Sequence, residues 1–206
     1  MIQKAKNNWQ TKKFMDCLET IKYTSKIQKK DFLKFGDFPI ISQEEAPVNG
    51  FWNKKDEVFK IKTPIIIFGD HTKVLKYIDF DFVLGADGVK ILCPKKFLYP
   101  KFLYYFLQNI HLKNLGYSRH YRLLKEIKVF YPESMLEQQH IVKILDEVFK
   151  GVDKVKENAK KNLRNARELF ESYLQNVFNK PNGEWESKKW GDICEIKPTK
   201  KEPKKN

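Results

Sequence analysis

Two regimes of apolar periodicity meet near residue 132. Before it, apolar residues come in short clusters at Phe38–Ile41, 58–61, 65–68, 74–78, 82–84 and 89–93, separated by Gly, Pro, Asn, Asp and Ser. Runs of that length between turn residues read as strands. Pro100 then opens a segment, 101–110, in which Phe102, Leu103, Phe106, Leu107 and Ile110 share one helical face. The mixture predicts an α/β (α+β) globular domain over residues 1–132.

After Pro132 the period changes. Pro132 closes a strand-like Val129-Phe130-Tyr131, and Ser134-Met-Leu-Glu137 has the form of a capping box. Apolar residues then fall at Ile141, Leu145, Val148, Val152, Val155, Ala159, Leu163, Ala166, Phe170, Tyr173 and Val177. Their steps alternate between four and three, with two consecutive fours around Ala159. This is a heptad seam carrying one stutter, where a supercoil locally unwinds. Asn179-Lys-Pro-Asn-Gly183 supplies the helix stop. The pattern predicts one coiled-coil helix over residues 133–180, roughly 65–70 Å long at 1.5 Å per residue. A seam of that length calls for a partner helix, from a second copy or another subunit. The alternative is a surface helix lying across its own domain, with Gly151 marking a bend.

The opening of the chain returns near its end. Trp9-Gln-Thr-Lys-Lys-Phe-Met-Asp-Cys-Leu-Glu19 is matched in register by Trp185-Glu-Ser-Lys-Lys-Trp-Gly-Asp-Ile-Cys-Glu195. Residues 181–206 are therefore expected to hold the start of a second repeat, followed by a charged, poorly ordered tail. In both copies an aromatic anchor precedes a polar residue, Thr11 or Ser187, expected to cap a short amphipathic helix.

Charge adds a partner class. Lys and Arg number 40 against 26 acidic residues, a net charge of +14, which favours a polyanion. A lysine-rich composition alone offers a rival account of that excess, so the charge does not decide the matter. Cys17, Cys93 and Cys194 lie far apart, without a C-x-x-C pair, and read as buried thiols of a reducing compartment rather than as disulfides or zinc ligands. No signal-peptide pattern opens the chain, and the longest apolar run is too short for a bilayer, which predicts a cytoplasmic protein without a membrane partner.

Candidate contacts fall in the connections. Tyr117, Ser118, Arg119, His120 and Arg122 interleave basic, aromatic and hydroxyl groups on one loop. Arginine can bond guanine edges in bidentate fashion, and hydroxyl and cationic groups hold phosphates. His71 and Lys73 in the 69–73 turn, Gln43 in the 42–50 connection, and Lys54 and Lys55 complete the expected DNA contacts. No catalytic or metal-binding residue is nominated. There is no G-x-x-x-x-G-K-[ST] phosphate loop and no Asn/Asp-Pro-Pro-Tyr/Phe methyltransferase motif. Two other readings stay open: a Mg²⁺-dependent nuclease built on Asp70, Asp79, Asp81 and Glu126-Ile-Lys128, and a basic coiled-coil scaffold.

Three stretches together resemble the specificity subunits of type I restriction-modification systems. They are Trp9-x-Thr-Lys-Lys-Phe-x-Asp-x-x-Glu19, Phe68-Gly-Asp-His-Thr-Lys73 with Phe82-Val-Leu-Gly-Ala-Asp-Gly-Val-Lys90, and Ile127-Lys-Val-Phe-Tyr-Pro-Glu-Ser-Met-Leu-Glu-Gln-Gln-His-Ile-Val142. The last is the most specific, similar to the family's strand-Pro-x-x-x-x-Glu-Gln-x-x-Ile junction, with Glu133 in place of its usual second Pro. The resemblance implies one target-recognition domain and one spacer helix where the family normally carries two of each. It further implies a non-catalytic partner of double-stranded DNA, a modification (methyltransferase) subunit and a restriction (endonuclease) subunit. S-adenosylmethionine, ATP and Mg²⁺ would then be used by those partner subunits. With the unsatisfied seam, the resemblance predicts a homodimer reading a palindromic, interrupted site.

Overall fold

A computed structural model describes residues 8–116, 118–179, 186 and 188–194, and the chain divides into two compact units, Met1–Phe149 and Lys150–Asn206. Tyr117, Trp185, Ser187 and the charged tail lie outside the described residues.

The first unit is organised by its most apolar run. Strands β1 (Trp9–Lys13), β2 (Lys26–Ile27), β3 (Phe38–Ile41), β4 (Gly50–Trp52) and β5 (Val58–Phe59) precede β6 (Ile65–Gly69), whose five residues are all buried. β6 pairs antiparallel with β7 (Leu75–Ile78) on one side and with β9 (Val89–Leu92) on the other. Successive side chains of a strand point to opposite faces, so this central strand feeds two cores. Ile66 and Phe68 join Leu92, Leu103 and Val142; Ile65 and Ile67 join Ile78, Phe82 and Ile91. Each such buried isoleucine contributes about 1.5–3 kcal/mol.

A second sheet runs in the order β2-β8-β3-β4, with β8 (Phe82–Gly85) parallel to both β2 and β3 and also paired with β5. Helices α1 (Pro100–Gln108) and α2 (Tyr121–Glu126) follow, and β10 (Lys128–Pro132) returns antiparallel to β1, with Trp9 opposite Pro132 and Lys13 opposite Lys128. The mixed α/β class stands, with boundaries moved by one or two residues: strands expected at 58–61, 74–78 and 89–93 are shorter, and the helix expected at 101–110 is Pro100–Gln108.

One local expectation fails. Thr11 caps no helix; it sits in β1 opposite Phe130, and the short helix is a single 3₁₀ turn, Phe14–Cys17, preceded by Lys13. The competing force is the β10 edge, which takes residues 9–13 into a ladder. Phe14 and Cys17 are then driven fully into the core.

Helix α3 (Met135–Asn179) runs unbroken through Gly151. Ser134 Oγ accepts the Glu137 N–H at 3.4 Å, as the capping box requires. Its first turns belong to the globular unit. Gln138 is fully buried: its Oε1 accepts the Tyr99 N–H (2.7 Å) and its Nε2 donates to Phe97 O (3.0 Å) and Pro132 O (2.8 Å). Asp146 pairs with Lys101 at 2.8 Å and accepts the Tyr105 hydroxyl. Burial works against ionisation of Asp146, yet these two bonds hold its carboxyl below the usual value. Ile141 packs partly on the same core, so the domain itself uses the first seam position. From Lys150 to Asn179 every side chain is exposed, seam residues Val152, Val155, Leu163, Phe170, Tyr173 and Val177 included. The second unit also holds α4 (Trp190–Ile193), a single helical turn. Among the described residues no helix is long and apolar enough to cross a membrane.

Candidate nucleic-acid interface

The turn after β6 is where several connecting loops meet. Gly69 is obligatory there, because a Cβ would sit 2.2 Å from Thr72 Oγ1 and 2.9 Å from Gln43 Cβ. The chain then reverses through Lys73, whose φ of 61° lies in the left-handed region. A non-glycine residue held there costs roughly 1–2 kcal/mol. The turn is closed by Lys73 N–H to Gly69 O (2.8 Å) and Gly69 N–H to Val74 O (2.9 Å).

Asp70 ties that turn to the rest. It is almost fully buried, and its N–H donates to Gly88 O at 2.7 Å. Its carbonyl accepts the His120 N–H at 2.8 Å and lies 3.1 Å from His120 Nδ1. Its carboxylate accepts the Tyr121 N–H at 2.8 Å, at the start of α2, and stands 3.7 Å from Lys90 Nζ. A carboxylate on the first amides of a helix satisfies donors that the helix itself cannot. His120 completes the joint: the Leu115 N–H donates to Nε2 at 3.1 Å, so the ring proton resides on Nδ1 and points to Asp70 O.

His120, expected as an exposed loop residue, is instead fully buried with both ring nitrogens used, between the exposed Arg119 and Arg122. Ser118, Arg119 and Arg122 are exposed, Arg122 on the first turn of α2 rather than on a loop. Tyr121 is half-buried against Phe68, with the ammonium groups of Lys90 and Lys125 at 5.5 and 5.3 Å from its ring centre. Burial pushes its phenol pKa up. Lys90 and Lys125 thus join the basic cluster although neither was expected. Lys90 had a signal, being the one charged position in the apolar run of β9.

Gln43 meets the same turn. Its Oε1 accepts the His71 N–H (3.1 Å), and its carbonyl accepts the Thr72 hydroxyl (2.6 Å). It braces two loops. The 42–50 loop is held from below by Lys76, which donates to Ala46 O (2.5 Å) and Asn49 Oδ1 (3.0 Å). Burial lowers the Lys76 pKa to about 8, against the opposing pull of Glu44. Between these loops lies a polar concavity of about 320 Å³, lined by Gln28, Lys29, Ser42, Gln43, Thr72 and Asp87 among others.

The expected contacts are thus partly assembled. Gln43, His71, Lys73, Arg119 and Arg122 are linked through the Asp70–His120 joint, whereas Lys54 and Lys55 are exposed near the β4–β5 turn, with Lys54 5.7 Å from the Trp52 ring. Two of the residues motivating a nuclease are otherwise engaged. Asp70 is the joint just described, and Asp81 accepts the Ile61 N–H at 2.9 Å. Among the described residues no group of three acidic, His or Cys side chains could hold a metal ion.

The domain is thus mixed α/β, with exposed basic residues on loops joined through Asp70 and His120, and it is followed by a long helix. The chain matches the type I restriction modification DNA specificity domain family over residues 6–165, and it belongs to that family. It is 25% identical over 184 residues to the EcoR124I/EcoR124II specificity subunit of Escherichia coli, an alignment covering 81% of this chain and 43% of that subunit. Its fold is similar to a chain solved in work on the assembly and conformational transition of the type I R-M system (TM-score 0.63, 15% identity, 79% of this chain and 44% of that one). It is also similar to the type I S subunit from M. genitalium (TM-score 0.57, 18% identity, 87% and 48%). The chain spans less than half the length of each of these relatives.

Proposed function

We propose that this chain binds double-stranded DNA sequence-specifically and acts in the cytoplasm as the recognition part of a type I restriction-modification enzyme. It supplies the address without catalysing a reaction. Adenine methylation and cleavage would be carried out by partner modification and restriction subunits, which use S-adenosylmethionine, ATP and Mg²⁺. The observation that carries this reading is the Asp70–His120 joint, which spends buried polar groups on fixing Arg119 and Arg122 relative to His71 and Lys73. Such rigidity suits readout of base edges, for which side chains must be placed to within a fraction of an ångström. The exposed apolar seam of α3 from Val148 onward supports a homodimer, which would present two recognition domains to an interrupted palindrome.

Selection from random duplexes tests this. Enrichment of a two-part palindromic sequence, with affinity falling steeply between about 50 and 200 mM salt, is the expected result. Binding without sequence enrichment favours the scaffold instead, and cleavage by the chain alone with Mg²⁺ favours the nuclease.

A further inference from the structure

The ribbon that opens and closes the globular unit carries an electrostatic anomaly. Successive side chains of a strand face opposite sides. Val129 and Tyr131 of β10 are buried, so Thr11, Lys13, Lys128 and Phe130 share the outward face of the β1–β10 pair. On that face Lys13 and Lys128 are direct register partners, and both are exposed. Like charges opposed across an antiparallel pair repel, whereas an acid opposite a lysine stabilises the ladder. Lys12, on the other face, has a structural use: its ammonium lies 4.4 Å from the centre of the Phe97 ring. Lys13 and Lys128 have no such contact. Among the described residues neither has an ion-pair partner, and that includes Asp16 and Glu126, the nearest acids in sequence.

The pair adjoins the residues joined through Asp70. The Phe14 N–H donates to Ile127 O at 3.0 Å, which sets the end of the ribbon against the end of α2. There a third exposed cation, Lys125, lies 5.3 Å from the centre of the Tyr121 ring, and the Tyr121 hydroxyl stands 3.7 Å from Met15 Sδ. Lys125 also lacks an ion pair among the described residues. Three cations without acidic partners, beside the Thr11 hydroxyl, suit a polyanion. Lysines and hydroxyls hold the phosphates of a duplex, and such contacts position the protein without reading sequence. The ladder sets the Cα atoms of Lys13 and Lys128 about 5 Å apart, so their ammonium groups can converge on one phosphate or span two neighbouring ones.

We propose that Lys13, Lys128 and Lys125 form a phosphate seat, on which the backbone of one DNA strand rests beside the segment carrying Arg119 and Arg122. The seat rests on the DNA reading above and adds a contact that contributes affinity without sequence preference. Binding titrations of the full chain over a range of salt test it. Lys13→Met combined with Lys128→Met is expected to lower the slope of log affinity against log salt by about 1–2, at about 0.9 per phosphate. Affinity for a selected duplex and for an unrelated one should fall by the same factor, with the enriched sequence unchanged. Lys13→Arg with Lys128→Arg keeps the slope. So does Lys60→Met with Lys62→Met, two exposed lysines elsewhere. Lys128→Glu separates binding from folding: it sets an acid opposite Lys13, so the melting temperature at low salt holds or rises while DNA affinity falls. An unchanged slope in the double methionine variant, an equal drop in the Lys60 and Lys62 control, or a lower melting temperature for Lys128→Glu overturns the seat and leaves sequence-specific binding standing. A lowered slope with no sequence enriched keeps the seat and overturns the specificity reading. A chain that binds no duplex overturns both.

Discussion

Phe14–Cys17 and Trp190–Ile193 occupy equivalent places in the repeated pattern, and each forms one turn of helix, yet their surroundings are opposite. Phe14 and Cys17 are wholly buried, while Trp190 and Ile193 are 77 and 63% exposed. The turn is a local property of a polar, aromatic and acidic run; burial depends on the hundred and more residues that follow the first copy. α3 repeats the contrast within one element. Its early residues Gln138, Val142 and Asp146 are engaged by the domain, and the same periodicity continues past Phe149 with every residue exposed. An apolar pattern specifies what a segment is able to bury, and its context decides whether anything is there to receive it.

The sharpest way to break this comparison is to remove one side chain from each copy. Phe14→Ala is expected to cost about 3–5 kcal/mol of unfolding free energy by denaturant titration, and Trp190→Ala less than about 0.5 kcal/mol; equal losses would mean that the second copy has a core of its own. Next in size is Gln138→Leu, which orphans the Tyr99 N–H and the carbonyls of Phe97 and Pro132 and costs about 1–3 kcal/mol per buried group left unpaired. Leu136→Ala, at an exposed position on the same turn, is the control and stays near zero. Asp70→Ala frees the start of α2. Affinity for a selected DNA site should fall about tenfold or more, with the slope of affinity against salt unchanged because the exposed cations remain. A changed slope would mark Asp70 as acting on charge rather than on position. The last effect is that of Lys76, and it shows only at alkaline pH. Its folded pKa is lowered to about 8 from 10.5, so the folded state holds its proton less tightly than the unfolded chain. Stability should rise with pH from about 8 to 10.5 on this account, and Lys76→Met should remove that increment.

Legibility followed locality. α3 could be read from Ser134 and the heptads because capping and periodicity are written within a few residues. β6 could be read because a strand buried on both faces is apolar throughout. β1 could not: residues 9–13 are polar and exposed, and only the distant β10 makes them a strand. His120 misled for a related reason. Among arginines and tyrosines it looks like a ligand contact, and its burial is set by Asp70, far away in sequence. The same holds for Gln138, which reads as a surface residue of a polar helix start until Phe97, Tyr99 and Pro132 are seen around it. Of the loops around Asp70, the basic character of Arg119 and Arg122 was visible, whereas the placement of Lys90 beside Tyr121 and the separate position of Lys54 and Lys55 follow from folding.

The pairing of β1 with β10 has a consequence for how such a domain can be inherited. Because Trp9 and Pro132 are register partners, the polypeptide enters and leaves the globular domain at neighbouring points of one two-stranded ribbon. Whatever lies between is a cassette held by a single clasp. A different domain spliced between those two strands would meet the helix at the same junction and inherit its geometry. Exchange of the segment between the two strands would therefore leave the start of α3 joined to the same ribbon.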